Sequence, residues 1–249
     1  MSIALTALFL ILSFLAEILG TVGGFGSSTF FVPIANYFLD FQTVLGITAV
    51  FHVFSNISKI ALFKNGLDKR ILFRIGIPAV AFVIVGAVIS NFIEVRFLQL
   101  VLSLFLIGLS LLFLIKRELK FSPNKKNSFV GGSLSGFFAG LLGTGGAIRG
   151  ITMAAFSVEK SVFVATSAAI DLAVDGSRTI VYLFNGYIHK HDLYLIPFLM
   201  VIGFVGSLIG KLILDKIPQE KFRMLVLVLI LIVGITLILK FFGISYFSE

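Results

Sequence analysis

Apolar residues dominate this chain in eight long runs that are separated by short polar segments. Six runs are about 20 residues long, and at 1.5 Å per residue such a helix crosses the roughly 30 Å of bilayer hydrocarbon. The runs cover residues 3–38, 43–63, 71–91, 97–116, 129–157, 161–184, 193–214 and 222–242. This pattern predicts an all-α integral membrane protein that crosses the cell membrane several times and has the lipid bilayer as its surroundings.

Two of the runs, 3–38 and 129–157, are too long for one crossing. Both contain clustered glycines, and glycine breaks helices and permits tight backbone turns. The clusters are Gly20, Gly23, Gly24 and Gly26 in the first run and Gly140, Gly143, Gly145 and Gly146 in the second. We therefore expect each run to form a re-entrant-like hairpin of two short helical arms joined by an unwound tip. The alternative is that the glycines only let helices pack closely.

The chain also repeats itself after about 120 residues. With that shift the first glycine cluster falls on the second, and Asn65–Gly66 falls on Asn185–Gly186. The repeat predicts two membrane units, 1–116 and 129–249, each a glycine-broken hairpin followed by three transmembrane helices. A basic cytoplasmic linker, 117–128, joins the units.

The basic residues indicate how the units are oriented, because cytoplasmic loops of membrane proteins are enriched in lysine and arginine. If each long run crosses once, the basic residues divide about ten to six between the two sides. If each hairpin enters and leaves on one side, the division becomes fourteen to three. One face then has Lys64, Lys69, Arg70, Arg74, Lys116, Arg117, Lys120, Lys125, Lys126, Lys160, Lys211, Lys216, Lys221 and Arg223, and the other has Arg96, Lys190 and Lys240. The second division favours two inverted repeats with both termini outside.

Composition narrows the functions that such a protein can have. The chain is 58% hydrophobic and 13% charged, and it contains no cysteine, which excludes disulfides and thiolate chemistry. Its net charge is +8, but most basic residues lie in short loops between apolar runs, so we expect no nucleic-acid partner. The sequence contains no HExxH, GxSxG or Walker A motif. We therefore expect neither an enzyme nor a metal or cofactor site.

Several ionisable residues interrupt the apolar runs, where they are costly and usually face an interior or a cavity. They are Glu17, His52, Lys59, Arg149, Asp171, Asp175 and Arg178. Helical spacing places polar residues on one face of each helix after a hairpin. The two faces contain Thr48, His52, Ser55, Asn56 and Lys59 in the first unit, and Thr166, Ser167, Asp171, Asp175 and Arg178 in the second. They predict a hydrated cleft, although Asp175 and Arg178 alternatively form a pair that only joins two helices.

Arg149 follows the second glycine cluster, where the N-terminus of the second arm would favour an anion. Its guanidinium would form bidentate hydrogen bonds with an oxyanion. Lipid snorkelling or a structural cap is the alternative. The predicted substrate-binding residues are Gly24, Gly26, Ser27, Ser28, Thr29, Asn56, Gly145, Gly146, Arg149, Ser167 and Arg178. Asp171 is the preferred proton carrier, with His52 second and Asp175 the expected fixed partner of Arg178.

At these residues the sequence resembles the TauE/SafE family of membrane permeases, often called sulfite exporters. The resemblance rests on the duplicated halves, on the segments GTVGGFGSSTFFVP and GLLGTGGAIRG, and on the Asn-Gly pair in each half. It implies transport of a small anion such as sulfite, sulfoacetate or another organosulfonate. Phe25 and Arg149 depart from the commoner family pattern.

Two modes of transport are compatible with these features. A secondary carrier would export its anion by alternating access, driven by a proton or ion gradient or by the gradient of the anion itself. A passive anion channel or uniporter would use the same basic pathway without coupling. The sequence leaves open whether the protein forms a homodimer.

Overall fold

The computed structural model describes residues 1–23, 26–63, 66–115, 122–154, 156, 159–214 and 216, with scattered positions between 228 and 242. Gly24, Phe25, Asn65, much of the linker and most of the last apolar run lie outside the described residues. The α-helices are α1 Ile3–Gly23, α2 Ser28–Ala35, α3 Phe41–Leu62, α4 Lys69–Ser90, α5 Val95–Ile115, α6 Lys125–Leu142, α7 Gly146–Ala154, α8 Lys160–Phe184 and α9 Leu195–Leu214. The described part of the chain contains no strand, which confirms the all-helical prediction.

Membrane-spanning length and apolar composition occur together in five of the described helices. These are Ile3–Gly23, Phe41–Leu62, Lys69–Ser90, Val95–Leu112 and Leu195–Leu214. Large apolar side chains such as Phe73, Ile77 and Val201 are more than half exposed on the protein surface. Lipid accommodates such surfaces, whereas water does not. The chain is a multi-pass membrane protein.

Side-chain caps define where three of the helices begin. Asp40, Asp68 and Asn124 precede α3, α4 and α6, and each accepts a hydrogen bond from the backbone N–H three residues later. Such caps satisfy a backbone donor that has no partner within the helix. They fix the start of each helix just outside an apolar run.

The two overlong runs are each divided by a glycine turn, as their clusters predict. Gly26 and Gly143 have φ angles of +79° and +77°, a region that residues with a side chain rarely adopt. The chain therefore turns at Gly26 between α1 and α2 and at Gly143 between α6 and α7. We call these pairs the first hairpin (α1 and α2) and the second hairpin (α6 and α7).

The prediction of two short arms is wrong for the first arm of each hairpin. Helices α1 and α6 have 21 and 18 residues, whereas α2 and α7 have 8 and 9. Gly20 and Gly140 do not break their helices, because they serve a different purpose. A Cβ at Gly20 would overlap the backbone of Ser27, and one at Gly140 would overlap the carbonyl of Val83. The close-packing interpretation therefore holds for these two glycines.

Helix α6 packs directly on α4 through a row of glycines. A Cβ at Gly132, Gly136 or Gly140 would overlap the carbonyl oxygens of Ile75, Ala79 or Val83, respectively. Both rows advance by four residues, so the two helices run in the same direction. This is the small-residue packing by which membrane helices bring their backbones together.

Helix α1 packs on α9 in a related way. Gly206 faces the side chain of Glu17, and Gly210 faces that of Thr21, so these helices also run in the same direction. Helix α3 packs against α8 and α9, and α8 packs against α3 and α4. Each of these packings joins a helix of residues 1–116 to one of residues 129–249. With a shift of about 120 residues, the α4–α6 packing corresponds to α9–α1, and the α3–α9 packing to α8–α4.

Candidate functional site

The tips of the two hairpins meet inside the protein. Thr144 of the second tip lies 3.4 Å from the hydroxyl of Ser28 and 3.3 Å from that of Thr29 in the first. A Cβ on Gly26 would lie 3.8 Å from the Cα of Gly146. Ser27, Thr29, Gly145 and Gly146 are buried. Non-helical backbone at such a place is tolerated in a membrane protein where protein or a wet cavity surrounds it.

Arg149 lies in the first turn of α7 and is only 2% exposed. Its Nε donates to the hydroxyl of Ser167 at 3.0 Å, and its Nη1 forms an ion pair with Asp171. Nη2 is buried without a hydrogen-bond partner among the described residues. This nitrogen points toward the first tip, 3.6 Å from where a Cβ of Gly26 would be. Because the side chain is enclosed by protein, the lipid-snorkelling alternative does not hold.

Arg178 and Asp175 form a second ion pair, within helix α8. The Nε and Nη2 atoms of Arg178 lie 2.8 and 2.7 Å from Oδ1 of Asp175, and its Nη1 donates to the carbonyl of Ala139. Asn56 donates to the other oxygen, Oδ2, at 2.7 Å. Both carboxylate oxygens thus have partners, and the contacts join α3, α6 and α8. This geometry favours the interpretation of the pair as a helix-joining contact.

His52 joins α3 to the first tip. Its Nε2 lies 2.9 Å from the hydroxyl of Ser27, and its ring packs against those of Phe31 and Phe51. The histidine is 4% exposed. Its contacts therefore position the tip against the centre of α3.

Two neighbouring cavities lie between the tips, α3 and α8. Gly26, Asn56, Lys59 and Asp171 line both of them. Ser167 lines one, and the other is lined by Ser27, Ser28, His52, Gly145, Gly146, Asp175 and Arg178. Each has a volume of about 20 Å³, which is room for about one water molecule. In this conformation the polar groups leave space for little more than water.

The structure thus brings together most of the residues that the sequence singled out. Arg149 itself stands behind Asp171 and Ser167 and lines neither cavity. Thr48 donates to the carbonyl of Val44 in its own helix, and Thr166 accepts from the backbone N–H of Asp68. The hydroxyls of these two threonines therefore form hydrogen bonds outside the predicted cleft. Gly24 lies outside the described residues.

The site residues predicted from the sequence did not include a further charged cluster that the structure places beside the cavities. Glu17 is fully buried, and its Oε1 lies 2.8 Å from the Nζ of Lys59. The same oxygen accepts hydrogen bonds from Ser55, Ser207 and Thr21 at 2.7, 2.8 and 3.2 Å. A single acid in an apolar run already signals a buried cation partner. The sequence alone did not indicate that Lys59 was this partner.

Several apolar crossings, helices broken at one central point and charged groups buried around that point define the class of membrane transporters. Residues 9–237 match the family model described as sulfite exporter TauE/SafE, and the chain belongs to that family. The resemblance seen in the sequence is thereby confirmed.

One curated relative extends this result over nearly the whole chain. A probable membrane transporter protein from Methanocaldococcus jannaschii is 26% identical over 261 residues, covering 94% of this chain and 96% of the relative. No solved structure matches the chain.

Proposed function

We propose that this transporter moves a small anion, such as sulfite, an organosulfonate or a similar carboxylate, across the cell membrane in the direction of export. The observation that carries this proposal is the buried guanidinium of Arg149, with one nitrogen unpartnered, where the two hairpin tips meet. A guanidinium has five N–H donors in a planar arrangement that matches an oxyanion. Here only Nε and Nη1 have partners among the described residues.

The surroundings of Arg149 supply further donors for an anion. Helix α7 begins at Gly146, and its first N–H groups lie beside the first tip. Hydroxyls of the first tip face the same region. The proposed substrate-binding residues are Gly26, Ser27, Ser28, Thr29, Asn56, Gly145, Gly146, Arg149, Ser167 and Arg178. Movement of Asp171 away from Arg149 would open this set to the anion.

Contacts at the ends of the hairpins support the inverted arrangement of residues 1–116 and 129–249. The rings of Phe9 and Phe38 lie 5.5 Å apart, so the first hairpin enters and leaves on the side where α3 begins. Gly131 near the start of α6 touches Thr152 near the end of α7, so the second hairpin also enters and leaves on one side.

The second hairpin is proposed to enter and leave on the side opposite to that of the first hairpin. Helix α8 starts shortly after α7, and its Thr166 bonds to Asp68 just beyond the end of α3. The first hairpin is therefore proposed to open to the outside and the second to the cytoplasm, with linker 117–128 on the cytoplasmic face. This arrangement agrees with the fourteen-to-three division of basic residues.

Proton coupling is proposed through Asp171. Its side chain is 17% exposed, it lines both cavities, and an anion on Arg149 would take its place. A carboxylate that loses its cation favours a proton, so the anion and the proton would bind together. His52 is the second candidate carrier. A passive channel or uniporter, which would move the anion without a proton, is the alternative. Assembly as a homodimer stays a prediction.

Sulfite and methanesulfonate binding to purified protein tests the role of Arg149. Arg149→Ala should weaken binding about 100-fold, because hydrogen bonds to charged groups contribute roughly 1.5–3 kcal/mol each. Arg149→Lys keeps the charge but loses the planar arrangement of donors. Its affinity should lie between those of the unmodified protein and Arg149→Ala. The exposed Arg70 provides the control Arg70→Ala, which should bind as the unmodified protein does. Normal binding by a folded Arg149→Ala variant would contradict the proposal.

A further inference from the structure

The buried charges at the centre balance one another. Three carboxylates, Glu17, Asp171 and Asp175, pair with the cations Lys59, Arg149 and Arg178. An anion that enters this neutral centre adds an uncompensated negative charge, which is unfavourable in a buried place. A proton taken up by one of the carboxylates would restore the balance. The identity of that carboxylate depends on which cation leaves its partner for the anion.

Lys59 is the cation best placed to contact an anion in the cavities. It lines both cavities, whereas Arg149 lines neither and Arg178 lines one. Its Nζ has two partners among the described residues, Glu17 at 2.8 Å and Ser55 at 2.9 Å. Arg178, by contrast, is held by Asp175 and by the carbonyl of Ala139. A flexible four-carbon stem lets an ammonium group move between two partners more easily than such a fixed guanidinium.

The carboxylate of Glu17 has one cationic partner and three hydroxyl partners among the described residues. Thr21 of α1, Ser55 of α3 and Ser207 of α9 donate to its Oε1 together with Lys59, while Oε2 is buried without a partner. Lys59 is the only charged group in contact with it among the described residues. On α9, Lys211 is turned toward the carbonyl of Leu62. If Lys59 withdrew, a bare carboxylate would remain in the interior with hydroxyl partners alone.

We propose that Lys59 is a second contact for the transported anion, and that Glu17 binds a proton when Lys59 leaves it for that anion. The proposal rests on the anion transport proposed above. The anion would lie between a cation from each half, Lys59 on α3 and Arg149 on α7. His52, Asp171, Asp175 and Arg178 line the same space, and of these Asp171 exchanges its partner in the same way. The single proton that balances one bound anion is then shared between two carboxylates, Glu17 and Asp171.

Methanesulfonate is the probe for this proposal, because its sulfonate stays ionised across the working pH range. Binding should be tighter at lower pH, since each bound anion brings a proton with it. The variant Glu17→Gln should retain binding but lose part of this pH dependence and part of the proton uptake measured in weakly buffered solution. An unchanged proton uptake in Glu17→Gln would overturn the proposed role of Glu17.

Lys59 is tested in a background that preserves the charge balance. Lys59→Met alone leaves Glu17 buried and unpaired and endangers folding, so the double variant Glu17→Gln/Lys59→Met is used. It should bind methanesulfonate at least about tenfold more weakly than Glu17→Gln, the effect of roughly one lost charged contact. Lys211→Met is the matched control and should bind normally. Equal affinity of Glu17→Gln and the double variant would overturn the role of Lys59.

Arg149→Ala in the same assay separates the two proposals. If Arg149→Ala loses binding while the double variant does not, the anion site stands and the role of Lys59 fails. If the unmodified protein binds neither methanesulfonate nor sulfite, the proposed transport of such anions fails, and the inference about Glu17 and Lys59 fails with it.

Discussion

The two hairpins have similar backbone arrangements, but the buried charged side chains that they carry are opposite in sign. Each has a long arm, a glycine turn near +78° and a short arm, followed by a long helix with a polar face. The first hairpin carries an acid, Glu17, that pairs with Lys59 on α3. The second carries a base, Arg149, that pairs with Asp171 on α8. The two hairpins therefore share their packing but not their chemistry. The centre obtains one cation, Arg149, from a hairpin and two, Lys59 and Arg178, from the long helices α3 and α8.

The hairpins also differ in how closely they pack. In the second, glycines of α6 bring its backbone against that of α4. In the first, the glycines belong to the partner helix α9 and receive the side chains of Glu17 and Thr21. Side-chain contacts adjust more easily than backbone contacts. We therefore expect the first hairpin to tolerate changes at its interface better than the second.

The largest expected effect concerns the proposed opposite orientation of the two hairpins. Ser122→Cys, before the second hairpin, should resist an impermeant thiol reagent added outside intact cells and react once the cells are opened. His191→Cys, in the 78%-exposed position of the loop before α9, should react from outside. The native chain contains no cysteine, so the signal has no background. External labelling of Ser122→Cys would contradict the inverted arrangement.

The packing difference is tested at Gly136 and Gly206. Gly136→Ala should destabilise the protein by about 3 kcal/mol or more, because its Cβ would overlap the backbone of Ala79. Gly206→Ala should have a smaller effect, since its Cβ would meet side-chain atoms of Glu17 at 2.8 Å and not backbone atoms. Thermal unfolding in detergent measures both.

Gly108→Ala is the matched control for these two variants. No atom of the described residues lies within 4 Å of a Cβ there, so this change should leave stability unchanged or raise it by up to about 1 kcal/mol. Equal losses at Gly136 and Gly206 would remove the distinction between the two interfaces.

The two acids of α8 should respond differently to neutralisation. Asp171→Asn should abolish accumulation driven by a pH gradient across liposomes while leaving anion exchange intact, because Asp171 is the proposed proton carrier. Asp175→Asn should instead lower stability by roughly 3 kcal/mol, since it leaves Arg178 buried without its charged partner. Transport by the unmodified protein that ignores the pH gradient would end the coupling hypothesis and leave a uniporter or channel.

The smallest expected effect is at the contact between the tips. Thr144→Val removes the hydroxyl that faces Ser28 and Thr29 and should cost about 1 kcal/mol. Thr179→Val removes a bond within helix α8 only and should change stability by less than about 0.5 kcal/mol. Melting temperatures measure both variants. A larger decrease for Thr144→Val than for Thr179→Val would show that the contact between the tips contributes more than a hydrogen bond within one helix.

The sequence alone was enough to identify the membrane runs, the broken hairpins, the family and most residues that line the cavities. These features are local, since hydrophobic length, glycine and helical spacing act over a few residues. The same reasoning failed at Gly20 and Gly140, where it predicted breaks. Their role depends on Ser27 and Val83 being next to them, and only the folded chain decides that.

Tertiary structure alone decided how buried polar groups on different helices pair. Glu17 meets Lys59 across 42 positions, and Asp175 meets Asn56 across 119. Spacing along one helix correctly predicted the pair of Asp175 and Arg178, because both lie on the same turn of α8. It had no information on which cation an acid from another helix would reach. The sequence determines that buried charges require partners, and the packing of the helices determines which partners they obtain.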